Sequence, residues 1–181
     1  MSPFTGVGTV LVQVKVERLT MDQATRTPVV VLREDAGERA LPIWIGAGEA
    51  SAIHLKLAEV SVGRPLTHDL LASTIAGLGA VLERVVITRV EQSTYFGRLD
   101  LRVEERAVTL DARPSDCIAV ALRTGAPIFA SDDLLNLVRI EVQEGEDEPP
   151  RQPSSSEGMS AAELQEYLRK LDPEDFGRFL P

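Results

Sequence analysis

The chain has 181 residues, 44% of them apolar, a formal net charge of −9 and a single cysteine. That is room for one domain of ordinary size plus an appendage, with enough apolar mass for a core. One cysteine excludes an internal disulfide framework and fits a reducing compartment, and the acidic balance argues against a general nucleic-acid binder, which meets phosphate with positive charge.

The N-terminus, MSPFTGVGTVLVQVKVERL, has no basic run before its apolar residues, and Lys15 and Glu17 interrupt them, so no signal peptide is expected. No run of 18 apolar residues occurs, so no membrane span is expected either, and a cytoplasmic protein is the expectation. The charge is uneven. Residues 1–143 hold 18 acids and 15 bases, 13 of the bases being arginine, whereas residues 144–181 hold 10 acids and 4 bases. Arginine suits bidentate phosphate or carboxylate pairing, although an arginine-rich codon usage gives the same count.

Residues 7–19 alternate, with Val10, Val12, Val14 and Val16 on one side, the period of a strand with one buried face. TPVVVLRE (27–34) and ALPIWIG (40–46) read as two more strands, with DAG (35–37) as a hairpin signal between them. AGEASAIHLKLAEV (47–60) reads as a helix with Glu49 in its first turn, where the dipole favours an acid. Residues 64–80 predict a second helix, with Thr67 as N-cap and Leu70, Leu71, Ile75 and Leu78 on one face. Strands are expected again at 81–92, 93–103 and 106–112, with a tight turn at 104–106. PSDCIAVALRTG (114–125) predicts a helix with Pro114 at its start and Gly125 at its end. A short strand at 127–131 and a helix, or helix plus strand, at 132–142 complete the domain.

The two halves read alike. Residues 27–57 and 93–123 each run strand, turn, strand, polar elbow, apolar helix, and a shift of 65 places Ile53 on Ile118 and Leu57 on Leu122. The expected fold is a two-layer α+β domain over 1–143, a mostly antiparallel sheet with helices packed on it, with duplication of a strand-strand-helix unit as a further expectation. Residues 144–158 are rich in Pro, Ser, Glu and Gly and read as an acidic linker. Residues 159–181 read as a helical tail, opened by the capping box Ser160-Ala-Ala-Glu163 and carrying Leu164, Tyr167, Leu168 and Leu171 on one face. That apolar face needs a partner, either the parent domain or another protein.

No P-loop, GxGxxG, HExxH, CxxC or GxSxG occurs. The chemistry gathers at helix starts instead: Gly48-Glu49, Arg64-Pro65-Leu66-Thr67-His68-Asp69 and Arg113-Pro114-Ser115-Asp116. An arginine before proline is pushed to an extended conformation and can lie across the helix mouth. The plainer reading is capping, since an acid in the first turn satisfies orphan N–H groups. The functional reading is convergence: Arg64 and Arg113 facing Glu49, Asp69 and Asp116, with His68 for proton transfer and Thr67 and Ser115 beside them. Carboxylates for a hard ion such as Mg²⁺ or Mn²⁺ (Asp69 and Asp116), arginines for charge and a histidine are the parts of a metal-assisted phosphodiesterase. Cys117, His54 and Trp44 each sit among apolar neighbours, so Cys117 reads as core, His54 as structural and Trp44 as core or interface.

Taken in order, LPIWIGAGEASAI (41–53), GRPLTHDLL (63–71), TYFGRLDL (94–101) and ARPSDCIAVALRTGAPIFAS (112–131) resemble the bifunctional nuclease domain family. The resemblance runs from about residue 8 to residue 138 and implies an α+β fold, a nuclease assignment with DNA or RNA as substrate, and a homo-oligomer. The family's polar positions fall on Glu49, Arg64, Thr67, His68, Asp69, Arg113, Ser115 and Asp116, as catalytic or substrate-binding candidates. Cys117 departs from the small residue expected at its position, which agrees with a buried role. The contrasting expectation is a regulatory or small-ligand-binding protein whose Arg-Pro elbows hold an anion and whose tail meets a partner.

Overall fold

A computed structural model describes residues 10–35 and 37–137. The chain divides into two compact units, Met1–Glu141 and Val142–Pro181, and the described residues all belong to the first. The expected linker and tail helix lie outside them, as does everything after residue 137 in the segment expected at 132–142.

Eleven elements follow in the described chain: β1 (Leu11–Met21), β2 (Pro28–Glu34), β3 (Ala40–Trp44), α1 (Ala47–Leu57), α2 (Thr67–Gly77), β4 (Ala80–Glu91), β5 (Thr94–Val103), β6 (Arg106–Ala112), α3 (Pro114–Thr124), β7 (Ile128–Ser131) and α4 (Asp132–Leu137). The strands form one sheet in the order β3-β2-β1-β7-β4-β5-β6. Every pairing is antiparallel except β4 with β7. β1–β2–β3 and β4–β5–β6 are therefore two antiparallel meanders flanking β7, running in opposite senses, and each leads into a helix. The fold is α+β, as the sequence patterns indicate.

The repeated unit is visible in the topology, but not in the register of 65. The starts of α1 and α3, Ala47 and Pro114, are 67 residues apart. With Gly46 and Arg113 as N-caps, that spacing makes Glu49 and Asp116 equivalent, both third in their helices. Sparse apolar identities mislead by two residues; the polar elbow carries the true register.

α3 is the central helix. It packs on α1, α2, β4 and β5, and all of Cys117–Ala121 is buried. Ile118 and Val120 are shut in with Val30, Leu32, Leu41 and Ile43 of β2 and β3, Ile53 of α1, and Val85 and Ile87 of β4. Each such side chain contributes roughly 1.5–3 kcal/mol by leaving water. Gly125 closes α3 at φ 74°, the left-handed conformation glycine adopts without strain. The β4–β5 hairpin turns on Gln92 and Ser93, both with positive φ, a two-residue turn whose twist matches the strands.

Several local expectations change. Val14 is buried, but Val10 is 65% exposed, because β1 begins only at Leu11. α1 stops at Leu57 rather than residue 60. α2 starts at Thr67, so Leu66 is the N-cap, and the acid Asp69 accepts the Leu66 N–H at 2.8 Å in place of a threonine cap. No residue of α2 is buried. It reaches the domain through α3 and β4, so Ile75 packs on the core while Leu70, Leu71 and Leu78 stay exposed. Trp44 is 48% exposed rather than core, since it ends β3 one residue beyond the buried Ile43. His54 is exposed, pointing away from the α1–α3 seam. Cys117 is fully buried, as expected.

Gly97 of β5 shows how closely α3 sits on the sheet. A Cβ there would lie 2.8 Å from Cys117 Sγ, 3.1 Å from the Ala112 carbonyl oxygen and 3.4 Å from Pro114 Cα. Gly97→Ala should destabilise the domain by about 1–3 kcal/mol, the cost of overpacking a closed core. Denaturant unfolding of Gly97→Ala, Cys117→Ala and the double variant checks this. The cycle should show favourable coupling, incomplete because backbone also blocks the methyl.

Candidate active site

α1, α2 and α3 each carry an acid at the third helical position, Glu49, Asp69 and Asp116, and each acid meets an arginine. Arg113, extended at φ −67°, ψ 146° as its proline requires, reaches across two helix mouths. Its Nε and Nη2 donate to Asp116 Oδ2 and Oδ1 at 2.9 and 3.1 Å. Its Nη1 lies 2.8 Å from Glu49 Oε1. The far side of Asp116 meets α2, with His68 Nε2 3.2 Å from Asp116 Oδ1. Glu49, His68, Arg113 and Asp116 thus come together from three elements separated widely in sequence.

They line a cleft of about 630 Å³, with Thr67 and Pro65 on its α2 side and Gly48 and Ser51 on its α1 side. The other candidates are placed differently. Ser115 is buried and lines a neighbouring cleft of about 480 Å³ on the opposite side of Arg113. Asp69 lines neither cleft: its Oδ2 accepts the Leu66 N–H and its Oδ1 accepts Arg123 Nε. Arg64 is exposed, lines neither cleft, and has no ion-pair partner among the described residues.

Arg123 was not singled out in the sequence. Its side chain is only 6% exposed and donates to Asp69, to the Ala119 carbonyl and to the Ala52 carbonyl, tying α3 to both α2 and α1. The available signal was an arginine in the last turn of α3, directly after the apolar run over residues 117–122; a buried guanidinium must have partners.

The electrostatics follow from these pairings. Burial pushes the Asp116 carboxyl up, but the hydrogen bonds from Arg113 and then His68 outweigh it, and the group lies below its ordinary value. Asp69 is held down first by the Leu66 N–H and then by Arg123. Arg113 is raised, chiefly by Asp116. Burial pushes the Cys117 thiol up to about 12, so it stays protonated and is no nucleophile.

Both aspartates bind protons less readily folded than unfolded. Their stabilisation is fully present above the unfolded carboxylate value of about 4 and is lost as pH falls through the lower native values. Thermal melts should show a melting temperature falling with pH below roughly 5, with a shallower fall in Asp69→Asn. An unchanged or steeper fall in that variant would refute the assignment.

Mg²⁺ or Mn²⁺ finds no ready ligand set. Among the described residues no three His, Cys, Asp or Glu side chains are grouped to hold one ion. The acids named as ligands are already engaged by guanidinium groups, Asp69 by Arg123 and Asp116 by Arg113. The residues as arranged do not fit a preformed metal site. What they do form is an oriented imidazole. If Nε2–H faces Asp116, its Nδ1 is the nitrogen free to accept or return a proton. Arg113 uses three of its five N–H groups on the two acids, which leaves two for an anion in the cleft.

The bifunctional nuclease domain matches residues 30–143. An uncharacterized protein of Mycobacterium tuberculosis is 36% identical over 164 residues, covering 91% of this chain and 97% of that protein. The bifunctional nuclease of Oryza minuta is 27% identical over 157 residues, 85% of this chain, and bifunctional nuclease 1 of Arabidopsis thaliana is 27% identical over 110 residues, 59% of it. The chain spans under half of each plant protein, 45% and 34%. With its matched region covering both meanders' helices and all four clustered residues, the chain belongs to the bifunctional nuclease domain family.

Proposed function

We propose that this protein hydrolyses phosphodiester bonds of DNA or RNA, with His68 moving the proton and Arg113 holding the phosphate. The observation that carries the reading is the 3.2 Å approach of His68 Nε2 to Asp116 Oδ1, at the edge of a cleft that Arg113 also lines. Asp116 orients the imidazole through its contact with Nε2. His68 Nδ1 then takes a proton from the attacking water and returns it to the leaving oxygen. The two outward N–H groups of Arg113 hold the phosphate and answer the charge that builds on it. Glu49 keeps the guanidinium in place.

Purified protein assayed on single- and double-stranded DNA and RNA, with Mg²⁺ or Mn²⁺ and with chelator, tests the reading. Cleavage abolished by Asp116→Ala supports it; cleavage that survives the substitution comes from another protein. No step above runs through a metal, and the chelator arm decides whether divalent-metal assistance enters. A second reading, an anion-binding protein that performs no chemistry, draws on the Arg113 N–H groups not used by Asp116 and Glu49 and on the absence, among the described residues, of three His, Cys, Asp or Glu side chains grouped to hold a catalytic metal. Binding without turnover favours it.

We further propose self-association, using the exposed Leu70, Leu71 and Leu78 of α2, and a protein contact for residues 159–181. Light scattering of the full chain and of a chain ending at Glu144 tests both.

A further inference from the structure

The second cleft, about 480 Å³, differs chemically from the first. Trp44 and Tyr95 line it with Pro114, Thr94 and Ser115, no carboxylate lines it, and its one charge is Arg113. Arg113 is thus the wall shared by both clefts. Trp44 is the chain's sole tryptophan, and it stays half exposed although indole is among the side chains with most to gain from burial. Its Nε1 donates to Asp22 Oδ2 at 2.9 Å, which satisfies its polar edge and pins the ring. Tyr95 is half-buried, and burial raises its hydroxyl, so the phenol stays neutral. A pinned aromatic surface beside an arginine is the chemistry that accepts a planar, anion-linked group.

We propose that this cleft is a subsite for one unpaired nucleobase, which stacks on Trp44 while its adjoining phosphate lies at Arg113, so that the strand crosses Arg113 toward His68. The proposal rests on the nuclease reading and sharpens it: the substrate is a single strand. A base inside a duplex has both faces covered and must be unstacked and unpaired before it can enter, whereas a single strand presents the face freely. Stacking needs no base-edge recognition, so the subsite tolerates any sequence.

Because Trp44 is the only indole, the full-length protein reports on the subsite directly. Its fluorescence is followed while a short oligothymidylate, or the matching oligothymidylate–oligoadenylate duplex, is added at low salt, with affinity measured in parallel by anisotropy of labelled oligonucleotide. The single strand should quench Trp44 and the duplex should not. Trp44→Ala should weaken single-strand binding by roughly 5- to 100-fold, with Trp44→Phe keeping most of it. The native titration stands whether or not either variant folds. Saturable binding without quenching, equal affinity for the duplex, or unchanged affinity in a folded Trp44→Ala overturns the subsite. Quenching by a strand that is never cut upholds the subsite and removes the nuclease reading. Cutting that is undiminished without quenching does the reverse.

Discussion

Replacing His68 with glutamine should lower turnover by roughly 10²–10⁴-fold, the usual contribution of a positioned proton-transfer group, and leave the melting temperature almost unchanged. Glutamine can still hydrogen-bond Asp116 from the second position of α2, so the link between α2 and α3 survives while the titratable nitrogen is lost. Asp116→Asn should also slow turnover. It keeps the shape of the pair but removes the charge that orients and supports the imidazole. Cleavage of a fluorogenic single strand, with thermal melts of the same preparations, separates the outcomes. A His68→Gln protein that melts early but cuts at the native rate makes His68 a helix-start residue and nothing more.

The largest stability effect is expected at Arg123. Arg123→Ala should cost about 2–4 kcal/mol, below the full cost of breaking a buried ion pair because Asp69 is 31% exposed and keeps some hydration. Three interactions go together: the Asp69 pair and the carbonyls of Ala119 and Ala52. The second of the two carbonyls lies inside α1, so the loss loosens the approach of α1 and α3 as well as that of α2. Denaturant unfolding measures the cost. Activity should fall too, since His68 and Glu49 ride on the two helices released. Arg123→Lys should recover only part of the stability, because an ammonium cannot match the fork that spans three acceptors. A variant as stable as the native chain would show that α2 is held by packing alone.

What was legible in the sequence was whatever one short segment decides. The Pro114 start and Gly125 end of α3, the turn between β5 and β6 and the apolar run after Arg113 each depend on near neighbours, and each is where the pattern puts it. The grouping of Glu49, His68, Arg113 and Asp116 was legible as a set of elbows, because a chain that repeats strand-strand-helix brings equivalent helix starts to one end of the sheet. Long-range choices were not legible. Asp69 and Asp116 look alike in sequence, but one faces a guanidinium 54 residues away and the other faces the cleft. Arg64 and Arg113 share an Arg-Pro signature, yet among the described residues only Arg113 has ion-pair partners, on α1 and α3. The face of α2 has core periodicity, but among the described residues no element lies over Leu70 or Leu78 to bury it. Trp44 reads as core or interface from its neighbours Ile43 and Ile45, and strand alternation turns it outward, which removes the core alternative.

The strand order about β7 is nearly two-fold, but the polar site is not doubled. Glu49 and Asp116 stand at matching places in α1 and α3, whereas the residue before α3 is Arg113 and its counterpart before α1 is Gly46. A side chain at Gly46 would require the Glu49 carboxylate, 2.3 Å from where its Cβ would be, to move from its present place. One arginine therefore answers two acids, and the half that lacks it borrows from the half that has it. Neither half carries the whole cluster or the whole sheet: the residues preceding α2 hold Glu49 and β1–β3, whereas α2 and the residues following it hold His68, Arg113, Asp116 and β4–β7. Cutting the chain between α1 and α2 should leave two inactive pieces whose activity returns only on reassociation. On the nuclease reading, substrate cleavage then becomes an assay for the joining of the halves.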